Sequence, residues 1–118
     1  PLFAKFTSVS GLKVGSPVEM LGMQIGRVAG FTMDQNDQVA VVELRIGNGV
    51  KIYNDAMASI KTNGLLGDKF VKIDAGGGGG LLKPGGAITE TEPPVDILEL
   101  ISKYAFGDVE KKQSKENK

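Results

Sequence analysis

Seventeen glycines are scattered at short intervals through this 118-residue chain, set among valine, isoleucine and phenylalanine. Glycine inside a helix or strand costs roughly 0.5–1 kcal/mol relative to alanine, so it collects where a chain must turn. The spacing predicts many short strands joined by tight turns. The strand-like runs are Phe3–Thr7, Pro17–Leu21, Gly26–Met33, Val39–Ile46, Ala56–Lys61, Lys69–Ile73 and Ala87–Thr91. In the fourth, Ala40, Val42, Leu44 and Ile46 alternate with Val41, Glu43 and Arg45, the period of a strand with one buried face. In the sixth, Val71 and Ile73 alternate around Lys72. Seven such strands point to an all-β domain over residues 1–94, a small barrel or sandwich.

Two local patterns refine the turns. Leu12-Lys13-Val14-Gly15 and Leu82-Lys83-Pro84-Gly85 each lead into a strand, and each reads as a leucine-anchored turn with glycine at positive φ. The run Gly76–Gly80 reads as a flexible loop. A phosphate-binding loop would need a following Lys and Ser/Thr or a helix start, and Leu81-Leu82-Lys83-Pro84 supplies neither.

After Pro93-Pro94 the period changes. Ile97, Leu98, Ile101, Tyr104 and Ala105 fall on one face of a helix, predicted over residues 95–107. Asp96 with Glu99 resembles a capping box, and Gly107 stands where the helix should stop. Leu100 and Phe106 widen the apolar stripe, which favours burial on more than one side, and therefore assembly. Residues 108–118 form a charged tail with no apolar pattern, expected to be disordered.

The side-chain inventory argues against catalysis. The chain has no cysteine and no histidine, which removes thiolate metal sites, disulfides and the commonest general base. Ser8, Ser10, Ser59 and Ser102 therefore lack an activating imidazole. Asp34 and Asp37 lie in a DQND stretch that reads as an Asx turn; the glutamate a calcium loop needs does not follow. Lys61 and Lys69 read as a solvated strand face. Fourteen basic residues balance fourteen acidic ones, with no clustered positive excess of the kind nucleic acid requires. No enzyme, metal or cofactor is expected. No apolar run approaches the roughly 18 residues of a membrane span, and no signal peptide is present. The chain opens on Pro1 directly into a strand, so it reads as a piece of something longer with an anchor upstream.

What remains is TNGLLGDKF, Thr62 to Phe70. A hairpin connection is normally polar, because loops run over the surface. Here Leu65 and Leu66 stand side by side between glycines. An exposed leucine forgoes roughly 1.5–3 kcal/mol of burial, so such a tip calls for an apolar partner. The partner is the chain's own core, another copy of the chain, or a greasy ligand.

The segments GLKVGSPVEMLGMQIGR (residues 11–27) and TNGLLGDKF resemble the opening signature and the pore loop of the MCE domain family. LISKYAF (residues 100–106) resembles the hydrophobic helix motif that follows the domain in MlaD-type members, with Ala105 where that pattern prefers leucine. The resemblance implies a seven-stranded β-barrel assembled as a homohexameric ring. It implies a periplasmic location, anchored to the inner membrane of a Gram-negative bacterium by an N-terminal helix absent from this sequence. It further implies membership of an ABC transporter moving phospholipid between the two membranes. The partners would be permease and ATPase subunits and a periplasmic lipid carrier. Carried onto this sequence, the lipid-contacting pore-loop residues are Leu65 and Leu66. The helix residues for assembly and pore lining are Leu98, Ile101, Tyr104 and Phe106. A monomeric adaptor that grips a partner protein through Leu65 and Leu66 is the alternative from the residues alone.

Overall fold

A computed structural model describes residues 1–64 and 67–94, all of it strand, turn and loop. The strands are β1 (Leu2–Phe6), β2 (Pro17–Met20), β3 (Met23–Asp34), β4 (Val39–Ile46), β5 (Met57–Thr62), β6 (Lys69–Asp74), β7 (Ala87–Ile88) and β8 (Glu90–Glu92). They form one sheet in the order β7-β1-β4-β3-β2-β6-β5-β8. The expected seventh strand is present but broken at Thr89, which makes eight named strands from seven predicted runs. The break has a topological cause. Ala87 and Ile88 pair in parallel with Phe3 and Ala4 on one edge of the sheet. Glu90, Thr91 and Glu92 pair in parallel with Met57, Ala58 and Ser59 on the other. One short segment therefore joins both edges, and the Thr91 hydroxyl donates to the carbonyl of Lys5 across the seam. The sheet becomes a nearly closed barrel, which removes the exposed edges that invite aggregation.

The core follows the alternation in the sequence. Ala4, Phe6, Val18, Val28, Val42, Leu44, Ala58, Ile60, Val71, Ile73 and Ile88 are buried and fill the barrel. The two leucine-anchored turns form as expected. Lys13 O accepts from Ser16 N at 3.0 Å and Lys83 O from Gly86 N at 2.8 Å, with Gly15 and Gly85 at φ +93° and +87°. Leu12 is buried, and Leu82 packs against the core. The Asp34 turn is also as read: its Oδ1 accepts from the backbone of Asn36 and Asp37 at 3.1 and 3.2 Å.

Two features depart from expectation. β3 starts three residues earlier than the run at Gly26, so β2 and β3 are joined by Leu21-Gly22 alone, with Met20 paired to Met23. Both turn residues have positive φ, 56° and 77°, as in a type I′ hairpin. Leucine in that conformation costs roughly 1–2 kcal/mol, because its Cβ crowds the following carbonyl.

The second departure is the glycine run Gly76–Gly80, expected as a flexible loop. The structure wraps it around Asn54 and Asp55. Asp55 Oδ1 accepts from Gly77 N at 3.0 Å and Oδ2 from Gly78 N at 2.8 Å. A Cβ at Gly76 would overlap Asp55, and one at Gly79 would overlap Asn54. These glycines make room for a carboxylate from their own chain. The backbone N–H groups of Gly77 and Gly78, which could have helped cradle an external anion, are thus already used.

Strand direction gives the barrel two distinct ends. β1, β3 and β5 begin, and β2, β4 and β6 finish, at the end that holds Pro1, the Leu21-Gly22 turn and residues 47–56 and 75–86. The opposite end holds residues 7–16, the 34–38 turn and the β5–β6 connection. β8 runs parallel to β5, so the chain leaves the barrel toward that connection.

Candidate functional site

Leu65 and Leu66 lie outside the described residues, as do Leu98, Ile101, Tyr104, Phe106, the helix predicted over 95–107 and the 108–118 tail. The frame that carries the two leucines is described on both sides. β5 and β6 pair without a slip from Met57↔Asp74 to Thr62↔Lys69. Beyond them, Asn63 N donates to Asp68 O at 3.0 Å, which narrows the stem by one more rung. Gly64 takes φ +67°, a left-handed conformation that leucine or asparagine would adopt only with strain or local side-chain help. At Gly67 any Cβ would overlap the carbonyl of Asn63, a backbone atom with nowhere to retreat. The glycines on either side of the leucine pair are therefore requirements of a tight stem.

Lys69 closes the same stem. Its Nζ donates to Thr62 Oγ1 at 2.8 Å, directly across the β5–β6 pair. Its methylenes lie against Gly11, where a Cβ would come within 2.9 Å of Lys69 Cε. The 7–16 loop is thus fitted to the base of the β5–β6 connection, and a cleft of about 220 Å³ between them is lined by Lys13, Ser16, Asp68 and Lys69 among others. Lys61, read as merely solvated, is 3.7 Å from Glu92, an exposed pair worth little on its own. It does tie β5 to β8 just before the chain leaves the barrel. Among the described residues the arrangement is a polar structural brace at the base of the connection. Among the described residues no three of His, Cys, Asp and Glu come together as metal ligands.

Sequence reasoning pointed to the leucine pair but missed Thr62 and Lys69 as its brace. The signal was available: strands joined by a short connection place their flanking residues opposite one another, and Thr and Lys flank this one.

A family model described as MlaD protein matches residues 1–76, well over half of the chain. The chain belongs to the MlaD family. The MCE resemblance drawn from residues 11–27 and 62–70 is thereby shown. Among MlaD proteins, the Haemophilus influenzae "intermembrane phospholipid transport system binding protein MlaD" is 32% identical over 108 residues, 88% of this chain and 65% of that protein. The Escherichia coli K12 MlaD of the same description is 33% identical over 112 residues, 90% of this chain and 61% of that protein. The chain thus spans somewhat less than two thirds of these relatives' lengths. Among solved structures, a chain of the Acinetobacter MlaFEDB complex in an ATP-bound conformation superposes with a TM-score of 0.77 at 28% identity. That match covers 87% of this chain and 79% of the other.

Proposed function

We propose that this chain is the ring-forming, lipid-conducting subunit of an ABC-type system that moves phospholipid between the inner and outer membranes. Leu65 and Leu66 from symmetry-related copies meet at the axis and form an apolar constriction. The helices over 95–107 associate around the same axis through Leu98, Ile101, Tyr104 and Phe106 and lengthen the passage. The ring is a homohexamer, held in the periplasm against the inner membrane and served by permease and ATPase subunits and a periplasmic lipid carrier. The observation that carries the reading is the stem of the β5–β6 connection. Its glycines, its extra backbone rung and its Lys69–Thr62 brace flank the Leu65-Leu66 pair in sequence, at the end toward which β8 runs, and so support this reading. The printed names of the MlaD relatives support phospholipid as the cargo, and the MlaFEDB match supports a transporter complex as the setting.

The physical logic is transfer without reaction. An acyl chain crossing water loses about 0.8 kcal/mol for each methylene that would otherwise be buried, so a dry path lowers the barrier with no catalytic group. Replacing both leucines with asparagine (Leu65→Asn, Leu66→Asn) is expected to leave the barrel's thermal unfolding unchanged and to abolish phospholipid movement between donor and acceptor vesicles by the reconstituted complex. Wild-type transport in the double variant would overturn the assignment.

A further inference from the structure

We infer that the β2–β3 turn, at the end of the barrel opposite the leucine connection, is a wedge that inserts into a lipid surface. Leu21 occupies the first central position of a two-residue hairpin with φ +56°, where asparagine or glycine would sit without strain. It is also 83% exposed, and Met23 beside it is 62% exposed. A side chain that strains the backbone and gains no burial in its own fold contributes nothing to folding here. An apolar medium around the tip supplies the burial that the fold withholds from Leu21, and that gain offsets the backbone strain.

The chemistry of the tip selects lipid over protein. From Met20 to Gly26 no residue is charged, while Glu19 and Arg27 bracket the stretch. The only polar side chain within it, Gln24, is folded back so that its Nε2 donates to Gly26 O at 3.4 Å. The tip thus offers no charged side chain, and a single amide, with which a protein groove could fix its orientation. It is convex, with Leu21 and Met23 exposed together, a shape that a fluid hydrocarbon layer accepts without complementarity. Met57 and Leu81, 40% and 52% exposed, belong to the same end of the barrel and give the surface further apolar contact points.

The inference rests on the proposed lipid-handling role only for its setting; the test is independent of transport. The full chain is mixed with vesicles of phosphatidylethanolamine and phosphatidylglycerol, and the bound fraction is read by flotation. Leu21→Asn relieves the left-handed strain, so its melting temperature should equal or exceed that of the parent chain. Its partition onto vesicles should fall roughly tenfold, the loss expected for one leucine no longer buried. Leu21→Gly should behave alike. Met33→Gln removes a side chain that is 74% exposed at the other end of the barrel, and should leave partition unchanged. A parent chain that does not float, an unchanged Leu21→Asn, or an equal loss in Met33→Gln would each overturn the proposal. Loss of vesicle binding with Leu65 and Leu66 intact separates this wedge from the transport reading, since the leucine pair remains available to conduct lipid.

Discussion

At the scale of single residues, Asp55 shows how a composition that looks permissive is tightly specified. The backbone N–H groups of Gly77 and then Gly78 hold its carboxyl below the ordinary value of 3.8. The group binds its proton more weakly in the folded chain than in the unfolded one. Stability from this contact is therefore fully present above the ordinary value and is lost as pH falls through the lower folded value. Asp55→Asn should be less stable than the parent at neutral pH, and the two should converge as the solution is acidified below 3.8. Urea unfolding at a series of pH values reads the difference directly; a gap that widens in acid would contradict the sign. None of this is legible in the sequence. Five glycines in a row carry no side-chain pattern, and their partner, Asp55, lies more than twenty positions earlier. The Asp34 turn was legible, because an Asx residue bonds to its own next neighbours and needs no distant partner.

At the scale of elements, strand existence was readable because each run buries one face, and period 2 is visible in residues such as Val42, Leu44, Val71 and Ile73. Strand pairing was not, since three of the seven pairings are parallel and join runs distant in sequence. The double role of residues 87–92 was equally hidden: two residues serve one edge and three serve the other. The seam depends on Thr91, whose methyl end could be matched by valine while its hydroxyl bond to Lys5 O could not. Thr91→Val should cost roughly 1 kcal/mol, the usual net worth of a hydrogen bond whose acceptor is left partly buried. Thermal unfolding should register this as a lower midpoint. Amide exchange should rise first at β1 and β8, which the bond connects, and a uniform change across the barrel would argue against a role at the seam.

At the scale of the whole molecule, the polarity of the barrel organises everything proposed for it. The candidate site was legible as a pair of leucines because an apolar hairpin tip breaks an expectation about loops, and the residues alone display that break. Its place relative to the chain's exit was not legible, because that depends on β8 running parallel to β5. That direction points the chain, at Glu92, toward the end where β5 and β6 are connected. In the proposed ring, the helix predicted over 95–107 would meet its symmetry mates at that end, each copy burying the apolar stripe it cannot bury alone. On the proposed function the predicted helix is the assembly device and the barrel is the frame. Ending the chain at Pro94 should leave the barrel folded, with its thermal midpoint nearly unchanged, and should lower the mass measured by light scattering from that of a ring toward that of a single chain. Restoring residues 95–107 without the charged tail should bring the mass back. An unchanged mass after truncation would move the assembly contacts onto the barrels themselves, and the predicted helix would then have no part in holding the ring.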